Sequence, residues 1–107
     1  MFTLVQSSVF AKWLRKLNDQ KAVARILARL TQARLGNFGD CAPVGGGVSE
    51  MRIHYGPGYR IYFVRSGVAV YVLLCGGDKS TQQDDIARAR RIAGELEDYD
   101  NDTTEGT

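Results

Sequence analysis

EMRIHYGPGYRIYFVRSGVAVYVLLCGGDK, residues 50–79, decides the fold. In its first run Met51, Ile53 and Tyr55 alternate with Glu50, Arg52 and His54; in its second, Tyr59, Ile61 and Phe63 alternate with Arg60, Tyr62 and Val64. A period of two gives each strand one apolar and one polar face. Gly56-Pro57-Gly58 reads as a three-residue hairpin loop and Ser66-Gly67 as a two-residue one. Loops that tight predict His54 opposite Arg60, Arg52 opposite Tyr62 and, across the second hairpin, Tyr62 opposite Tyr71. The polar face would then carry two arginines, the only histidine and two tyrosines, a set suited to binding an anion. Residues 68–75 (VAVYVLLC) are nearly all apolar, as in a central strand covered on both faces.

Upstream, residues 2–6 read as a short strand. Ser7 or Ser8 can cap a helix whose Phe10, Trp13, Leu14 and Leu17 share one side. Asn18 or Asp19 can cap a second helix with Val23, Ile26, Leu27 and Leu30 inward, ending near Gly36. On its other side Lys21, Arg25 and Arg29 recur every four residues, either a phosphate-tracking stripe or a solvated face. Residues 36–47 (GNFGDCAPVGGG) read as a connecting loop. Their glycines match neither the P-loop pattern nor the dinucleotide-binding fingerprint. Downstream, Ser80 or Thr81 can cap a third helix with Ile86, Ala89, Ile92, Ala93 and Leu96 inward and Arg88, Arg90 and Arg91 exposed. The order β-α-α-β-β-β-α predicts an α+β domain: a twisted antiparallel sheet with a helical hairpin and a C-terminal helix on one face, and the first strand beside the last.

The length of 107 residues fits one domain. The net charge of +2 hides an asymmetry, because residues 95–107 (ELEDYDNDTTEGT) hold six carboxylates and no Lys or Arg. Setting that −6 aside leaves +8 on residues 1–94. The expected organisation is therefore a basic domain over 1–94 and an acidic, disordered tail over 95–107. A body so basic favours a polyanionic partner such as nucleic acid, the bland alternative being helix faces solvated by Lys and Arg. No apolar run nears the ~20 residues that span a bilayer. There is no export signal to read, Cys41 and Cys75 are far apart, and no second histidine accompanies His54. A cytoplasmic protein without membrane, metal or other cofactor is expected.

RNA cleaves itself when a 2′-hydroxyl is deprotonated, aligned with the neighbouring phosphorus, and the transition-state charge is stabilised. His54 can serve as base or acid near neutral pH. Arg52 and Arg60 suit bidentate phosphate contacts, and Lys79, after the last strand, could reach the same phosphate. Tyr62 and Tyr71 offer faces for base stacking. Each has a plainer reading: a structural histidine, an Arg52–Glu50 pair, strand-favoured tyrosines, a lysine solvating a turn.

The stretches FAKWLRKLNDQKAVARILARL, GNFGD, VGGGVSEMRIHYGPGYRIYFV and LLCGGDKSTQQDDIARA, together spanning residues 10 to 91, resemble the HigB-like "addiction module killer protein" group of the RelE/ParE toxin superfamily. The resemblance implies a RelE-like fold and a type II toxin neutralised by an antitoxin, encoded next to it and carrying a helix-turn-helix. For RelE-like members it implies metal-independent cleavage of mRNA on the ribosome, an mRNA interferase activity, through clustered basic residues. Arg52 and His54 fall where that group has two lysines, Arg60 matches the arginine after the Gly-Tyr of the second hairpin strand, and Lys79 lies in the corner that supplies a further cation. The group's functional tyrosine after this corner is missing, since residues 80–86 contain none. The resemblance also covers ParE-like proteins, which inhibit DNA gyrase and cut no RNA, so that activity is the alternative.

Overall fold

The computed structural model describes the backbone of residues 1–105 and the side chains of residues 1–96. Chain order is β1 (Thr3–Gln6), α1 (Ser8–Lys16), α2 (Gln20–Arg34), β2 (Cys41–Gly45), β3 (Val48–Ile53), β4 (Tyr59–Arg65), β5 (Val70–Asp78), a 3-10 turn (Lys79–Thr81) and α3 (Gln82–Glu105). The helix starts follow from local hydrogen bonding. Ser7 accepts from the Phe10 amide, and Asp19 accepts from the amides of Lys21 and Ala22, each satisfying donors that a first turn leaves free. The third start differs from expectation: Asp78 caps the 3-10 turn, which leads directly into α3. α3 crosses the boundary expected at 94/95, so secondary structure does not break there. The disordered acidic tail expected over 95–107 falls, from residue 97, outside the described side chains.

Among the described residues five strands form one sheet in the order β1-β5-β4-β3-β2. β1 lies beside β5 as expected, but parallel to it, while the other pairs are antiparallel. The fifth strand is β2, inside the stretch expected to be a loop. It pairs only with β3, and an edge strand tolerates Pro43, whose missing N–H faces away from the ladder. A register shift between Pro43 and Gly45 then leads into the turn before β3.

Both hairpin loops are longer than expected, five residues (54–58) and four (66–69). Arg52 therefore pairs with Arg60, and Glu50 with Tyr62. Tyr62 pairs with Cys75, and Tyr71 with Arg65. The first pairing is displaced by two positions, which preserves the faces because side chains alternate with that period. At β4–β5 a bulge leaves Leu74 without an opposite residue, and its side chain joins Cys75 under α3.

The helices cover both faces, not one. Phe10, Ala22, Ile26, Leu30 and Ala33 pack on Met51, Ile53, Ile61, Phe63 and Leu73, while Ala89 and Ala93 of α3 pack on Val48, Tyr62, Leu74 and Cys75. The buried row of α2 is rotated from the expected one: Ala22 and Ala33 lie against the sheet, and Leu27 is 47% exposed. Gly76 and Gly77 allow close approach on opposite sides of β5. A β-carbon at Gly76 would strike Trp13 of α1, and one at Gly77 would strike the Asp85 carboxylate of α3.

Candidate functional site

The side chains read from the sequence as one polar face divide into two groups. At mid-strand, Glu50 is 1% exposed and accepts from Arg52 Nε at 3.0 Å, Tyr62 Oη at 3.0 Å and Gln82 Nε2 at 2.8 Å. Arg60 Nε approaches the same carboxylate at 3.6 Å. Burial alone would raise the carboxyl's pKa, but hydrogen bonds from Gln82, Arg52 and Tyr62, with the Arg60 charge, hold it below the ordinary glutamate value. Burial and the bond to Glu50 push the Tyr62 phenol far up. Tyr62 is fully buried, so it has no face for a base. Tyr71 lies on the opposite side of the sheet, in an aromatic cluster with Phe2, Phe38 and Phe63. The expected pair of stacking tyrosines is thus absent, because α3 covers one and the helical hairpin side holds the other.

The second group stands at the end of β3 and is open to solvent. His54, the first residue past the strand, is 75% exposed, and its Nε2 lies 2.6 Å from Asp40 Oδ2. This hydrogen bond holds the Asp40 carboxyl below its ordinary range, assisted by the charge of Arg52. An ionised carboxylate only accepts, so Nε2 carries the hydrogen and Nδ1 is left to exchange a proton. The His54 ring thus has an anion as its close partner, not the arginine expected opposite it.

His54, Arg60 and Lys79 line one depression of about 430 Å³ with Ile53 and residues 55–58. Arg60 is held in place: 13% exposed, it donates from Nη1 to the Gly58 carbonyl at 2.7 Å. Its Nε is buried and, among the described residues, has no hydrogen-bond partner. Lys79 is exposed at the start of the 3-10 turn. Arg52 does not join this depression; Glu50 and Asp40 engage it on either side, the latter at 3.6 Å.

The α2 row is likewise split. Arg29 donates to the carbonyls of Arg52 (2.6 Å) and Phe38 (3.1 Å), tying α2 to β3 and the chain ahead of β2. Arg25 is exposed with its guanidinium 4.7 Å from the centre of the Tyr55 ring. Lys21 is exposed at the start of the helix. Sequence reasoning missed Asp40, Gln82 and the hub role of Glu50. Asp40 came in a stretch read as connector, whereas Glu50 stood two residues from Arg52 with no sign that its face was roofed.

A family model described as "Phage derived protein Gp49-like (DUF891)" matches residues 12–93. The chain belongs to the Gp49-like family. This phage-derived family is RelE-related and generally toxin-like. A Haemophilus influenzae protein, itself described only as uncharacterized, is 47% identical over 87 residues, covering 81% of this chain and 88% of the relative. The Gp49-like match includes the candidate site residues described above, from Lys21 to Gln82, and reaches the part of α3 that roofs Tyr62. Among the described residues no helix is long and apolar enough to cross a membrane.

Proposed function

We propose that this Gp49-like protein is the toxin of a toxin–antitoxin pair and cleaves mRNA on the ribosome as a metal-independent endoribonuclease. The reading rests on one observation: His54, Arg60 and Lys79 line a single depression, with His54 oriented by Asp40. An RNA phosphate there meets a guanidinium, an ammonium and an imidazole together. His54 Nδ1 takes the proton of the 2′-hydroxyl, whose oxygen attacks phosphorus to give a 2′,3′-cyclic phosphate. Arg60 and Lys79 neutralise the non-bridging oxygens, and the departing 5′-oxygen takes its proton from Lys79. Arg52 acts indirectly, through Glu50 and Asp40.

An antitoxin encoded next to the toxin and carrying a helix-turn-helix would silence it by placing acidic side chains over the exposed cations. The test is induction in a bacterial host, followed by primer extension on cellular mRNA and by plasmid supercoiling analysis. Cleavage that disappears in Arg60→Ala and His54→Ala supports the proposal. Altered supercoiling with intact mRNA would replace it with the ParE-like activity against DNA gyrase.

A further inference from the structure

A second depression, of about 320 Å³, adjoins the first and is lined by Arg25, Ala28, Arg29, Ile53 and His54. Ile53 and His54 line both, so the two are neighbours across the end of β3. Their chemistry differs. The first presents Arg60 and Lys79 among backbone and polar groups, whereas Ala28 and the 4%-exposed Ile53 give the second an apolar lining. Arg25 and His54 add two flat π-systems. The Arg25 guanidinium is steadied over Tyr55, whose own hydroxyl is within 3.5 Å of Asp19. A planar, apolar-faced group with polar edges fits such walls, because guanidinium planes and imidazoles stack on bases.

We propose that this depression is a nucleobase subsite, holding the base of the nucleotide next to the phosphate in the Arg60–Lys79 depression. The inference rests on the nuclease reading for the identity of its ligand. It gives Arg25 a different task from phosphate tracking, and supplies the stacking surface that Tyr62 and Tyr71 cannot. Arg29, engaged by two carbonyls, forms fixed wall at this site.

The experiment is a chemical-shift titration of the full chain with adenosine 3′-monophosphate and, separately, with inorganic phosphate. The nucleotide is expected to shift Ala28 and Arg25, which line the second depression alone, and phosphate to shift only residues of the Arg60–Lys79 depression. Ala28→Phe, which fills the second depression, is expected to weaken nucleotide binding roughly fivefold or more while leaving phosphate binding intact. Arg25→Gln makes the same test should Ala28→Phe fail to give the amide spectrum of a folded protein. Identical shifts from nucleotide and phosphate, confined to the first depression, would overturn the subsite. So would unchanged nucleotide binding in both variants. The two readings fail separately: Arg60-dependent RNA cleavage without Ala28 or Arg25 shifts removes the subsite alone, whereas those shifts without RNA cleavage remove the nuclease reading and leave a base-binding pocket.

Discussion

Glu50 with Arg52 and Arg60 at mid-strand, and Asp40 with His54 at the strand end, use similar residue types for opposite ends. Around Glu50 hydrogen-bonding capacity is spent inside the protein: three donors and one further cation meet a carboxylate that α3 and Gln82 close off. At His54 one ring nitrogen is engaged and the other is open to solvent. The closed group is satisfied within the protein, whereas the open one leaves an imidazole exposed to solvent. Arg60 belongs to both, since it is anchored by Glu50 and Gly58 yet borders the open depression.

That division can be broken most severely from the open side. The double variant His54→Ala/Arg60→Ala is expected to lose roughly 10³-fold in RNA cleavage, the scale of losing a general base with a charge stabiliser. Cleavage of a defined mRNA in a translation extract measures it, with the circular dichroism spectrum as the check on folding. Asp40→Asn is expected to keep the fold and to slow RNA cleavage in the same assay, since it replaces the carboxylate that orients the imidazole.

From the closed side, Glu50→Gln is expected to cost about 3 kcal/mol in urea denaturation, because Arg52 and Arg60 lose their shared buried counter-charge. The pH dependence follows from the sign of the Glu50 shift. Its folded pKa lies below the ordinary value of 4.5, so its stabilisation is fully present above that value and is lost as pH falls through the lower folded one. Wild type and Glu50→Gln are therefore expected to converge in stability under acid, and a gap that persists would place the destabilisation elsewhere. Gly76→Ala is expected to cost about 2 kcal/mol through displacement of Trp13, which tryptophan fluorescence would also register. Leu27→Gln, on the exposed side of α2, is expected to change stability by less than about 0.5 kcal/mol.

Period-two alternation was legible because a displacement by two residues keeps every side chain on its face. Met51, Ile53, Ile61 and Phe63 could thus be placed while the loops that set the register could not. Nothing in residues 50–65 distinguishes a polar face open to water from one roofed by a helix. Glu50 and Tyr62 therefore read as surface, although Ile86, Ala89, Ile92 and Ala93 already showed that α3 needed a sheet to cover. β2 was hidden by its composition, since glycines and a proline signal a loop unless the strand lies at an edge. With β2 unseen, Asp40 just ahead of it had no place from which to reach His54. His54, Arg60 and Lys79 could be grouped because they cluster at the ends of adjoining strands, where modest errors of register still leave them neighbours.

The parallel pairing of β1 with β5 bears on when this molecule becomes complete. Thr3 leaves the ribosome early, but its partner Val70 is made only after both helices and three further strands. Lys79 follows later still. During synthesis the first strand and the apolar side of the helical pair wait without a sheet to join, and the cationic depression does not exist. A growing chain thus lacks this depression, and gains it only once Lys79, just beyond the last strand, has been made.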